Sequence, residues 1–250
     1  MSDSRKRKTK RVEDLEGYGR SLSDTLNELQ TQQLRMLLRV GLIVLGAMRN
    51  RFGLPGLLPF ARKVSAEEKR LKREYPEGYQ EALKLGKGPA AQMLRMSAMF
   101  NVIAQAEGPD QAYEFIKGIF QRIAVYSMPA MYQIDDLVQC EGDVFDNFKK
   151  YNIAMFQTDD DFFRVKEIQD EKDKLTIILD QCANVTCAAA FRCPEVAKLG
   201  CDHDLAGYPV ILDRVDAEFR RPHTIAKGDD FCDFMFYRKG TAPDTEYLNK

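Results

Sequence analysis

Apolar residues recur at helical spacing through the first half of the chain. From Ser21, a suitable N-cap, Leu22, Leu26, Leu29, Leu34, Leu37 and Leu38 follow a 3.6-residue period that runs on to Met48. Gly53-Leu-Pro-Gly-Leu-Leu-Pro59 interrupts it, because proline cannot continue a helix and glycine marks the turn. A charged helix is expected after Ser65, where Glu68 completes a capping-box spacing. The next spans Pro89 to Ala106, with Met93, Met96, Met99, Phe100 and Ile103 on one face. Methionine fills irregular gaps, so this stripe reads as core packing before it reads as a ligand surface. Gly108-Pro109 opens a helix through Phe115, Ile119 and Ile123, and further helices are expected from Met128 to about Val138 and from Val144 to Phe156.

Beyond Phe156 the period shortens to two. Phe162 to Ile168 and Leu175 to Gln181 read as strands of a hairpin, joined by the charged turn Gln169-Asp-Glu-Lys-Asp173. A small-residue helical stretch around Cys187-Ala-Ala-Ala190 follows, then a short helix opening at Pro194 and another over Leu205 to Leu212. Strands Ala217 to Ile225 and Phe231 to Arg238, with the turn Lys227-Gly-Asp-Asp230, close the chain. The fold expected is α+β: a helical N-terminal half, then an antiparallel sheet of about four strands with helices on one face. Its parts are a disordered basic tail over 1–20, a helical region over 21–156 and an α+β region over 157–250, the last two forming one continuous domain.

Composition narrows the function. The 250 residues are 44% hydrophobic and 30% charged, an ordinary globular balance. A formal net charge of −1 gives the whole molecule no field to draw nucleic acid or an anionic membrane. Val40 to Met48 is too short to cross a bilayer, so no membrane insertion is expected. The basic run Arg5 to Arg11 leads into polar sequence rather than an apolar signal core, so a cytoplasmic location is expected. The acidic cluster Asp159-Asp160-Asp161 lacks the alternating ligands of a calcium loop and reads as a solvated turn.

Five of the six cysteines (Cys182, Cys187, Cys193, Cys201, Cys232) fall after residue 180, and both histidines, His203 and His223, fall there too. Cysteine, histidine and aspartate together suffice for thiol nucleophilic catalysis, since a base takes the thiol proton and a carboxylate orients the base. The same side chains could hold zinc, although no C-x-x-C spacing supports it, or could simply pack and cap helices. Strand alternation puts Phe219, Arg221, His223 and Ile225 on one side of the penultimate strand, and Cys232, Phe234 and Phe236 on one side of the last.

Leu199-Gly-Cys201-Asp-His-Asp204, Phe219-Arg-Arg-Pro-His-Thr-Ile-Ala-Lys-Gly228 and Cys232-Asp-Phe-Met-Phe236 resemble the L-2-amino-thiazoline-4-carboxylic acid hydrolase family. The similarity rests on a Cys-x-x-Asp pair and a closing Cys-Asp-Phe-x-Phe; Pro222 stands where a threonine is common. It implies hydrolysis of a C–N or C=N bond in a small cyclic thiazoline-, amidine- or amide-like substrate. In that reading Cys201 attacks as a thiolate, His223 is the base and Asp204 orients it or binds an amidine-like nitrogen. Arg221, Thr224 and Cys232 contact the substrate, the Arg221 guanidinium donating to the substrate's carboxylate. No cofactor is required; zinc or manganese held by Cys201, Asp204 and His223 is the competing mechanism. A non-catalytic small-ligand-binding domain, distantly similar to vinyl-4-reductase-type domains, is the alternative class. A third is a subunit whose N-terminal helices dock a partner or a second copy of the chain.

Overall fold

The computed structural model describes residues 10–31, 33–158 and 162–244. Residues 1–9 of the expected tail and the cluster Asp159–Asp161 lie outside them. Within the described part of that tail the chain is already packed. A 3-10 turn covers Val12–Asp14, and Val12 and Leu15 are buried in the core.

Helices α1 (Leu22–Thr31) and α2 (Leu34–Glu74) follow. The break expected at Gly53 is present, since Gly53 takes φ 65°, a region that favours glycine. The helix restarts immediately afterwards, with Pro55 in its first turn, where a missing N–H costs little. Ser65 is therefore inside a helix, and no separate charged helix begins there. Next come α3 (Pro76–Lys84), α4 (Lys87–Glu107) and α5 (Pro109–Met131). The methionine face of α4 is buried as its spacing predicts. Helix α5 runs through Pro129 to Met131, and only α6 (Ile134–Leu137), after a left-handed Gln133, occupies the rest of the stretch expected as one helix to Val138. Helix α7 (Val144–Phe156) begins where Asp143 accepts the amide of Asp146 at 2.9 Å.

Strands β1 (Phe163–Glu171) and β2 (Lys174–Cys182) extend closer together than expected, leaving only Lys172 and Asp173 as the turn. Helix α8 (Ala183–Ala190) precedes α9 (Pro194–Leu212), a single helix where two were expected. Strands β3 (Ala217–Arg220) and β4 (Cys232–Arg238) complete an antiparallel sheet of order β1-β2-β4-β3.

The sheet buries one face: Leu175, Ile177 and Leu179 of β2 lie beside Phe234 and Phe236 of β4, with Phe219 of β3 opposite Phe236. Helices α7 and α9 cover it. Phe148 meets Phe236 edge-on at 5.2 Å, and Tyr208 lies 4.4 Å from Phe219 between ring centroids. Helix α9 packs most extensively on α5, and Gly207 makes this possible. A Cβ built there would come within 2.8 Å of Met128. The architecture is α+β, with the four strands following the helical half.

Candidate active site

Strand β3 ends at Arg220 because Pro222 has no N–H for the ladder and restricts the residue before it. Residues 221–224 leave the sheet, so the alternation expected to run to Ile225 fails after Arg220. Arg221 turns inward and is 1% exposed. Its Nη1 donates to Asp204 Oδ2 at 2.8 Å and its Nη2 to the Cys201 carbonyl at 3.1 Å. The guanidinium also lies 5.3 Å from the Phe234 ring centroid and 5.7 Å from that of Phe219. Burial is the largest single influence and pulls its pKa down; Asp204, Cys201 and Cys232 together outweigh it and raise the value. Arg221 is a fixed cation whose fork holds α9 against the loop after β3.

Three consecutive polar residues of α9 each have a separate partner. Asp202 accepts the Tyr113 hydroxyl from α5. His203 Nε2 lies 2.7 Å from Ser127 Oγ, also on α5. Asp204 takes Arg221, and its other oxygen is 3.8 Å from His203 Nδ1. Polar groups midway along a buried helix require such partners. Asp202-His203 was the only trace of them in the sequence; Tyr113 and Ser127, far upstream, carried no signal.

The Cys201 thiol is pushed up to about 12, chiefly by burial. Arg221 and Lys227 pull it down, while Asp204 and Cys232 push it further up. Cys182, at the end of β2, also goes to about 12 through burial, with Cys201 and Cys232 adding to the effect. Cys232 Sγ accepts the Ile225 amide at 3.3 Å. Three thiols from β2, α9 and β4 thus share one neighbourhood with Arg221 and Asp204.

The expected histidine is elsewhere. Both the backbone N and the ring Nδ1 of His223 lie 2.8 Å from the Asp233 carboxylate, and the ring rests on Phe231 at 4.5 Å. Its side chain is 44% exposed. The imidazole beside Asp204 belongs to His203, and the carboxylate beside His223 belongs to Asp233. Thr224 is sealed inside the loop, its amide donating to Asp229 at 2.7 Å. The fork of Arg221, expected to receive a substrate carboxylate, is engaged by the protein itself. Among the described residues no three His, Cys, Asp or Glu side chains are grouped to hold a metal ion, so Cys201, Asp204 and His223 do not form such a set.

The arrangement offers a protonated thiol, a carboxylate held by a buried cation, and a half-exposed imidazole at the loop beyond. A family model described as L-2-amino-thiazoline-4-carboxylic acid hydrolase matches residues 90–236. That stretch runs from the start of α4 to Phe236 in β4 and contains every residue of this constellation. Comparison with curated proteins gave no match, and comparison with solved structures gave none.

Proposed function

The chain belongs to the L-2-amino-thiazoline-4-carboxylic acid hydrolase family, and we propose that it hydrolyses a C–N or C=N bond in a small cyclic thiazoline-, amidine- or amide-like substrate, with Cys201 as nucleophile. The observation that carries this reading is Arg221. Its two hydrogen bonds join the Cys201 turn of α9 to the segment between β3 and β4, where the family's motifs lie.

A thiol pushed up to about 12 is not a thiolate in the free protein, so the chemistry must begin from S–H. The ring's own nitrogen supplies the base. As Sγ bonds to the amidine-like carbon, the C=N π pair moves to nitrogen and takes up the thiol proton. Asp204 faces the positive charge that develops on the amidine nitrogens, and Arg221 keeps that carboxylate in place. As the adduct collapses, the exocyclic nitrogen re-forms a C=N bond and gives up a proton to the ring nitrogen, whose C–N bond breaks; water then adds to the carbon and the S–C bond breaks as sulfur regains a proton. His223, oriented by Asp233 and half-exposed, is assigned the relay of protons to solvent. Cys232 completes the wall of the site, and Thr224, sealed behind it, holds the loop through its amide bond to Asp229.

Metal-analysed protein is expected to turn over at least one member of a panel of thiazoline, cyclic amidine and cyclic amide carboxylates. Cys201→Ser should lower kcat/KM by about 10³-fold or more. Mass spectra of acid-quenched wild-type reactions should carry an adduct on Cys201. Full turnover by Cys201→Ser in metal-free protein removes the thiol from the mechanism, and one equivalent of zinc or manganese that tracks with activity replaces it by a metal-bound water. The raised pKa of Cys201 also suits a non-catalytic ligand-binding domain; a co-purified ligand with no turnover across the panel selects that second reading.

A further inference from the structure

Between Arg39 and Arg49 the first segment of α2 is apolar on all sides. Ile43, Val44, Ala47 and Met48 face the body of the protein, while Leu34, Leu38, Leu42 and Leu45, spaced four, four and three residues apart, face outward. Past the Gly53 kink, Leu54 and Leu58 continue the outward surface. These six leucines are 53% to 70% exposed. A helix that is hydrophobic all round is normally covered, and a continuous exposed apolar surface marks an interaction site.

Charge identifies what covers it. Between Glu28 and Glu67 the chain has no acidic residue and six basic ones: Arg35, Arg39, Arg49, Arg51, Arg62 and Lys63. Arg51 is paired with Glu107 and Arg39 lies over the Tyr126 ring, whereas Arg35, Arg49, Arg62 and Lys63 are exposed and take part in none of the ion pairs among the described residues. The whole-chain charge of −1 conceals this separation. Two copies of the face would bring like charges together, which disfavours self-association. Residues 1–89 also lie outside the family match, so the hydrolase assignment does not account for the surface.

We infer that the outward face of α2 docks on an anionic lipid membrane surface. Leucines enter the boundary between headgroups and acyl chains while the flanking arginines and Lys63 meet lipid phosphates. No described helix is long and apolar enough to cross a membrane, so the helix lies along the surface. The 34–52 segment presents about 28 Å of contact at helical rise.

The test is sedimentation of the full chain with vesicles of phosphatidylcholine alone and of phosphatidylcholine containing about 30% phosphatidylglycerol, a composition that sets the surface charge. Binding is expected on the anionic vesicles, at least about tenfold weaker on the neutral ones, and reduced by raising salt from about 0.1 M to about 0.5 M. Arg35→Glu/Arg39→Glu and Leu38→Asp/Leu42→Asp should each weaken anionic binding by at least about tenfold with unchanged circular dichroism, since all four positions are exposed. No binding, or equal binding to both vesicle types, overturns the inference. A dimer in lipid-free buffer that Leu38→Asp/Leu42→Asp abolishes also overturns it, because a second copy is then the occupant.

Discussion

Replacing Arg221 by methionine keeps much of the side chain's length and removes its charge and donors. The substitution leaves Asp204 and the Cys201 carbonyl without the bonds they receive from it at 2.8 and 3.1 Å. Removing one partner of a buried ion pair costs about 3–5 kcal/mol. Asp204 keeps 23% of its side-chain exposure, so water compensates part of the loss, and the expected cost falls to about 2–4 kcal/mol. Methionine between Phe219 and Phe234 exchanges a cation–π contact for a sulfur–aromatic one of similar size, so packing contributes little.

Asp204→Asn provides the control. In the double variant Arg221→Met/Asp204→Asn no charge remains on either side, so its loss should fall short of the sum of the single losses by about 1–3 kcal/mol. Urea unfolding of the four proteins at neutral pH measures this directly. The single Arg221→Met loss corresponds to a melting temperature lowered by about 4–16 °C for a chain of this size. Strictly additive variants, or an Arg221→Met loss below about 1 kcal/mol, would refute the claim that this pair fixes α9 against the loop after β3.

Two further outcomes follow from burial and contact. Gly78→Ala should destabilise by about 1–3 kcal/mol and by more than Gly207→Ala, because the new Cβ meets Ala190 Cβ at 2.9 Å and its backbone at 3.1 and 3.2 Å. At Gly207 the nearest atom is the end of a flexible methionine, and equal effects in denaturant titrations would contradict this ranking. Burial raises Cys187 and Cys193 to about 11 and Cys182 and Cys201 to about 12, above the value of an unfolded thiol. The folded chain therefore holds these protons more tightly; their contribution to stability is complete below about pH 8.5 and is lost as pH rises through 11 to 12. The urea midpoint should fall between about pH 8.5 and 10.5, and a flat profile would show that the thiols are solvated.

The fold was legible where one period ran uninterrupted. Helix α7 occupies the span its pattern predicts, and the β1–β2 hairpin and the β4 strand follow from alternation. Two prolines account for part of the differences. Pro129 lies inside α5 without ending it, because packing of α5 on α9 exceeds the loss of one backbone bond. Pro222 had the opposite effect. It ended β3 and made parity arguments invalid for every residue after Arg220, which is why His223 faces Asp233 instead of Asp204. The sequence grouped Cys201 and Asp204 with His223 and gave Arg221 to a substrate carboxylate; Arg221 as the partner of Asp204 was not legible. A guanidinium matches a substrate carboxylate as well as a protein one, and only burial decides between them.

Those partners together fix the setting of Cys201. Asp202 to Tyr113, His203 to Ser127 and Asp204 to Arg221 are contacts at successive positions of one helix, directed to α5, α5 and the loop after β3. Successive helical residues point about 100° apart, so rotating α9 by one position would break all three at once. Gly207 lets the same helix approach Met128 closely, so a side chain there would push α9 away from α5. Among the described residues no side-chain hydrogen bond orients Cys201. The placement of Cys201 on α9 is inherited from these neighbours, two of which are held by residues of α5 that no motif contains.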